Sequence, residues 1–182
     1  LLVYILQSEV NPRLALIVAS AALGLFFALS MSAPMAYRLA PLVLAAVIFG
    51  VYVVTLGTHV GEADTFEFQV VAPTLGIAHP TGYPLYVMVG WLFAQLPIGS
   101  NAFRVNLTSA VFATGAAMML YALLARITRR RLVASITALA FAASQVMWSQ
   151  AVVAEVYALN AFIASVAFLL FYNLMSRPAH ER

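Results

Sequence analysis

Five stretches of this 182-residue chain, 14–35, 39–57, 105–127, 132–148 and 157–175, carry a single charged residue between them, Arg126. Each approaches the roughly 20 apolar residues that a helix needs to cross a bilayer. In lipid every backbone polar group must find its partner within the protein, which leaves helices or closed barrels. A barrel would alternate apolar and polar residues over short segments, whereas these runs are long and continuous. The sequence therefore predicts an all-α, polytopic helical membrane protein. Composition agrees: 64% of residues are hydrophobic, 8% are charged, and mean hydropathy is +0.99. Such values exclude a soluble globular domain and a disordered chain alike.

A sixth apolar run, 84–98, is bracketed by Gly82-Tyr83-Pro84 and Pro97-Ile98-Gly99. Its length suits an interfacial, re-entrant or buried helix better than a span. Arginine distribution bears on the choice, because basic residues favour the cytoplasmic side. If 84–98 does not cross, Arg38, Arg126, Arg129, Arg130, Arg131, Arg177 and Arg182 share one side, seven of the nine basic residues. Glu9, Glu62, Asp64, Glu67 and Glu155, five of the six acids, share the other. The expectation is five spans plus one interfacial or re-entrant helix, with the N-terminus outside. Residues 58–104 then form an extracytoplasmic loop in one transmembrane domain, 1–182. Residues 1–6 read as the end of a further helix, and the chain as a fragment or shortened relative of a longer protein. The basic residues are all arginine; those at 126–131 read as a topology anchor, and there is no basic stripe for nucleic acid. The arginine and alanine bias suggests a bacterial source, and so the inner membrane. There is no cysteine, hence no disulfide framework and no thiol chemistry.

The loop concentrates the chemistry. It runs from Thr58-His59 through Glu62-Ala63-Asp64-Thr65-Phe66-Glu67 to His79-Pro80-Thr81-Gly82-Tyr83-Pro84. Carboxylates at the edge of a membrane are candidate general bases, and Asp64 and Glu67 fall on one helix face. The bland alternative is a capping box, with Asp64 capping and Glu67 reaching back. His79 is a turn residue or a ligand-binding one. His59, Glu62, Asp64 and His79 lack any strong metal-ligand spacing, so no metal site is assigned. Tyr83, Tyr86 and Trp91 suit an interface.

Beyond the loop, Glu155 interrupts an apolar stretch and is a functional candidate, since acids at membrane depth are costly. Arg104 is placed either to hold a phosphate or to pair with a loop acid. Asn106-Leu107-Thr108 matches a glycosylation sequon, discounted because it abuts a membrane helix. Small residues across 113–117 and 134–143 suit close helix packing.

Three ordered motifs carry a resemblance: Glu62 through Phe68 continued by Ala72 through Tyr86, Arg104 through Ala110, and Trp148 through Asn160. Over about residues 39–175 the chain resembles the N-terminal part of the membrane family related to protein O-mannosyltransferases of the GT-C fold. Asp64-Thr65-Phe66-Glu67 stands where the family usually has Asp-Ser-Gly-Glu. The resemblance implies a polyprenyl-phosphate sugar donor used as substrate on the extracytoplasmic side, with inversion at the anomeric carbon. It implies Asp64 and Glu67 as catalytic acids, and His79, Tyr83, Arg104, Glu155 and Tyr157 as substrate-binding positions. No cofactor is assigned. Expected partners are membrane lipids, the lipid-linked donor and other membrane protein subunits. The alternative reading is a non-catalytic transmembrane subunit of a larger membrane complex.

Overall fold

The computed structural model describes residues 34–176, with side chains from 39 onward. Among the described residues there are seven α-helices and no strand: α1 (Pro34–Val54), α2 (Ala63–Thr74), α3 (Pro84–Ala94), α4 (Asn101–Thr128), α5 (Arg131–Ala142), α6 (Gln145–Ala151) and α7 (Val156–Met175). The chain divides into two compact units at Thr55–Leu56. Helix α1 belongs to the first and the other six helices to the second. Pro41 lies inside α1, beyond its first turn, where its missing N–H removes one helical hydrogen bond.

Helix α4 is the axis of the second unit, with α2, α3, α5, α6 and α7 all packed against it. It starts cleanly because Ser100 caps it, its hydroxyl accepting the Phe103 N–H at 3.2 Å. Its buried face is built from small residues, among them Ala102, Ser109, Ala110, Ala113, Ala116 and Ala117. That seam lets neighbouring backbones approach closely. At Gly115 a Cβ would lie 2.8 Å from the Phe162 ring of α7. Phe112 and Phe162 stack across the same contact with centroids 5.4 Å apart.

At about 1.5 Å per residue, the 28 residues of α4 and the 20 of α7 reach or exceed a bilayer core of about 30 Å. Both are apolar enough to cross. Much of α7 is exposed and apolar, including Ile163, Phe168, Leu170, Phe171 and Leu174, as expected of a helix facing lipid or other helices.

The expected span 132–148 is instead two helices, α5 and α6, bent by 66°. The break has a local cause. Ser144 leaves helical geometry to cap α6, accepting the Met147 N–H at 3.3 Å while donating to the Phe141 carbonyl at 2.7 Å. Helix α1 is 21 residues long and carries most of the expected span 39–57; its apolar part with described side chains is Leu39–Val54. The described residues thus supply two candidate spans, or three if the bent pair counts as one. The expected total of about five is not reached within them, and most of 14–35, like 1–6, lies outside them. The run 84–98 yields α3, whose 11 residues extend about 16 Å, too short to cross.

Candidate functional site

Helix α2 presents the loop acids. It begins at Ala63 with Glu62 as its extended N-cap residue, and no side chain caps it. The capping-box alternative is therefore corrected: Asp64 sits in the first turn, not at the cap, and Glu67 reaches forward, not back. The cause is competition. Glu67 finds in His79 a partner stronger than a helix-end N–H, and Asp64 still lies where the helix dipole favours an anion. Phe66 falls inside regular helix with its ring half-exposed.

The inner face of α2 fixes its rotation. Phe68 and Ala72 are buried among Tyr86, Val105 and Ala154. Gln69 donates to Asn106 Oδ1 at 2.9 Å and accepts the Gly61 N–H at 2.9 Å, while Asn106 donates to the Gly57 carbonyl at 2.8 Å. The approach to α2 runs so close that a Cβ at Gly61 would collide with the Thr65 side chain. Helix α2 ends at Leu75 in a left-handed conformation, with the Gly76 N–H bonded to the Val71 carbonyl at 2.9 Å.

The following turn brings His79 back over α2. Its backbone N–H donates to Glu67 Oε1 at 2.7 Å, and its ring Nδ1 lies 2.5 Å from Glu67 Oε2. The Gly82 N–H closes onto the His79 carbonyl at 2.7 Å. Tyr83 then takes a left-handed φ of 43° directly before Pro84, the first residue of α3. A bulky residue rarely adopts that conformation. Edge-on ring contacts hold it, at 5.5 Å from Phe68 and 5.1 Å from His79. Phe68 in turn meets Tyr86 at 4.8 Å.

Glu155 arrives from the start of α7, ninety residues away in sequence, and accepts the Thr65 hydroxyl at 3.2 Å. Ser109 of α4 pins its backbone. The Ser109 hydroxyl accepts from Glu155 N and donates to Glu155 O, each at 3.2 Å, and lies 3.3 Å from the Tyr86 hydroxyl.

The electrostatics follow from these contacts. The His79 hydrogen bond lowers the Glu67 carboxyl from its ordinary value. Glu67 raises the His79 imidazole, helped by the charges of Asp64 and Glu155. Glu155 is raised chiefly by burial and further by the charge of Asp64, with Thr65 and His79 opposing. Asp64, Glu67 and His79 each offer one donor atom within 4.8 Å of the others. The sequence considered Asp64 and His79 for a metal only alongside His59 and Glu62, and so missed this trio.

Of the seven site candidates, the fold gathers Asp64, Glu67, His79, Tyr83 and Glu155. Arg104 is engaged elsewhere. It donates to the carbonyls of Ala94 (2.7 Å), Leu96 (2.9 Å) and Ser100 (3.3 Å) and to the Asn101 side chain, which ties down the C-terminal end of α3. Tyr157 lines a groove of about 320 Å³ with Phe141, Ser144, Val146, Met147, Gln150 and Ala161. Thr65, Gln69, Asn106 and Ser109 were not singled out as site residues. Their one signal is polarity on faces otherwise made of apolar or small residues.

Comparison with known proteins gives these features a lineage. The family described as the protein O-mannosyl-transferase TMEM260 N-terminal domain matches residues 64–182. The chain belongs to that family. Membership bears out the resemblance to O-mannosyltransferase-like proteins. Protein O-mannosyl-transferase TMEM260 of Mus musculus is 34% identical over 116 residues, 63% of this chain and 16% of the relative. Its counterpart in Dictyostelium discoideum is 29% identical over 124 residues, 65% of this chain and 15% of the relative. The chain thus matches about one sixth of the length of these relatives. No solved structure matches it.

Proposed function

We propose that this chain is the acid-bearing membrane segment of a GT-C glycosyltransferase that transfers mannose from a polyprenyl-phosphate carrier to a protein hydroxyl. The observation that carries the reading is the unequal state of the three carboxylates. Glu67 is closed onto His79 and Glu155 holds Thr65. Asp64 is exposed and holds no hydrogen bond among the described residues. A general base must be free to take a proton from the incoming hydroxyl, and of these three Asp64 is the acid in that state.

In the proposed reaction, Asp64 accepts the hydroxyl proton as the oxygen attacks the anomeric carbon. The bond from that carbon to the phosphate oxygen breaks, and the phosphate leaves with the electron pair on its polyprenyl carrier. Attack from the face opposite the leaving group inverts the centre. The imidazole of His79, whose charged form Glu67 favours, opposes the charge of the departing phosphate. Tyr83 walls the site, and Glu155 positions the acceptor. The site faces the extracytoplasmic side of a bacterial inner membrane, with α3 lying along the surface.

The test is transfer of radiolabelled mannose from polyprenyl-phosphate mannose to a Ser/Thr peptide in membranes containing the protein. Asp64→Asn is expected to lose about 10²–10⁴-fold in rate with expression unchanged. Full activity in that variant removes the base assignment. The non-catalytic subunit reading is favoured by the exposed apolar side chains of α7. It predicts no transfer by the wild type and tight co-purification with other membrane proteins.

A further inference from the structure

We propose that the turn joining α4 to α5 is a binding surface for the headgroup of an anionic phospholipid. Arg126, Arg129, Arg130 and Arg131 stand together there, and all four are exposed. The fold sets them far from the acids. No aspartate or glutamate occurs between Glu67 and Glu155, and none stands in the first turn of α5. Arg126 donates to the Asn173 side chain at 2.8 Å, which places the turn beside the C-terminal end of α7. Glu155 stands at the other end of that helix. From Glu155 to Asn173 the chain extends about 27 Å, close to a bilayer core of about 30 Å. Helices α4 and α7 are long and apolar enough to cross, and where they cross, the arginines and the acids meet opposite faces of the membrane.

The turn is fixed by its backbone and by Thr128. The Thr128 hydroxyl donates to the Leu124 carbonyl at 2.7 Å and accepts the Arg130 N–H at 3.2 Å. Arg129 ends α4 with a left-handed φ of 55°, a position that glycine fills at least cost. Exposed apolar side chains interleave with the charges. Ile127 lies between Arg126 and Arg129, Leu132 and Val133 follow Arg131, and Leu174 follows Asn173. Such a surface meets both parts of a lipid. Guanidinium groups hold phosphate by charge-assisted, bidentate hydrogen bonds, and the apolar side chains beside them face the acyl chains. A soluble anion would use the arginines and leave the apolar side chains in water.

The charge selects among lipids. A zwitterionic headgroup brings its own cation, which the arginines repel. An anionic one, such as phosphatidylglycerol, leaves its phosphate uncompensated, and each arginine at an anionic lipid surface is worth about fivefold in affinity. Lipid binding here depends on the helices and their charges, not on the transfer reaction proposed above.

The experiment is titration of the purified full chain in detergent with phosphatidylglycerol and, separately, with phosphatidylcholine of the same acyl chains, read as bound lipid by native mass spectrometry. The wild type is expected to bind phosphatidylglycerol about 10-fold or more tighter, with the preference shrinking as salt is raised. The double variant Arg129→Gln, Arg130→Gln is expected to cut that preference by about fivefold or more. The double variant Arg129→Lys, Arg130→Lys, which keeps the charge, is expected to retain the larger part of it. Both side chains are exposed, so neither exchange opens a packed site. Equal binding of the two lipids by the wild type, or an undiminished preference in the glutamine variant, overturns the surface. Displacement of bound phosphatidylglycerol by inorganic phosphate makes a soluble anion the ligand and overturns the lipid.

Discussion

Both carboxylate oxygens of Glu67 close on one residue, Oε1 on the backbone N–H of His79 and Oε2 on its ring. The contact joins α2 to the turn that launches α3, across twelve residues of chain. Glu67→Ala is expected to free that turn, so that amide hydrogen exchange over 76–83 quickens. Glu67→Gln, which keeps an oxygen for the N–H, falls between Glu67→Ala and the wild type. Unchanged exchange in Glu67→Ala would show that the backbone of the turn holds itself.

Glu155 gives a pH dependence with a definite sign. Burial raises its carboxyl in the folded protein, so folding favours the protonated form. That contribution is complete below the carboxyl's unfolded value and is lost as pH rises through the folded one. Glu155→Gln keeps an oxygen for the Thr65 hydroxyl but never ionises. Its melting temperature is expected to match the wild type in acid and to exceed it progressively toward neutral pH. The Glu155 charge also raises His79, so the same comparison on a His79→Gln background isolates Glu155, and parallel curves there would contradict the assignment.

Asn106 bridges Gln69 and the Gly57 carbonyl. Asn106→Leu strands both, at about 1–3 kcal/mol for each buried group left without a partner. Gln69→Leu strands the Gly61 N–H and Asn106 Oδ1. The double variant removes both halves of the shared bond, and its cost is expected to be less than the sum of the single costs. Strict additivity in chemical unfolding would mean the two amides act separately.

The chain contains no cysteine, which makes its sidedness open to single-cysteine labelling. Asp64→Cys is expected to react with an impermeant maleimide added outside intact cells, and Arg129→Cys only after permeabilisation. Reaction of both from the same side would defeat the charge-based topology and the placement of the site with it.

Much of this was legible in the sequence, for physical reasons. Helices α4 and α7 announce themselves because spanning is a matter of length and hydropathy, and the prolines and glycines around 84–98 give away the short α3. The acids were legible because carboxylates are scarce in so apolar a chain. The break between α5 and α6 was not, since hydropathy is continuous through it and only the Ser144 hydrogen bonds interrupt the helix. Nor was the fate of Glu67: Asp-x-x-Glu is the same spacing whether the glutamate turns back to its own helix or out to His79. Arg104 misled for a related reason. A guanidinium near acids suggests an ion pair, yet the carbonyls at the end of α3 lay closer along the chain.

Helix α2 has two faces with different tasks. Asp64 and Glu67 look outward, while Thr65, Phe68, Gln69 and Ala72 are buried. Because it is one rigid cylinder, the helix acts as a crankshaft. Packing is tight along it: a Cβ on Gly90 of α3 would come within 2.9 Å of the Ala72 Cβ. A methyl group added there, at the far end of α2 from Asp64, turns or tilts the whole shaft and swings the carboxylates with it. Variation at silent-looking alanines and glycines of this hairpin is thus a means of re-aiming Asp64 and Glu67 without touching either.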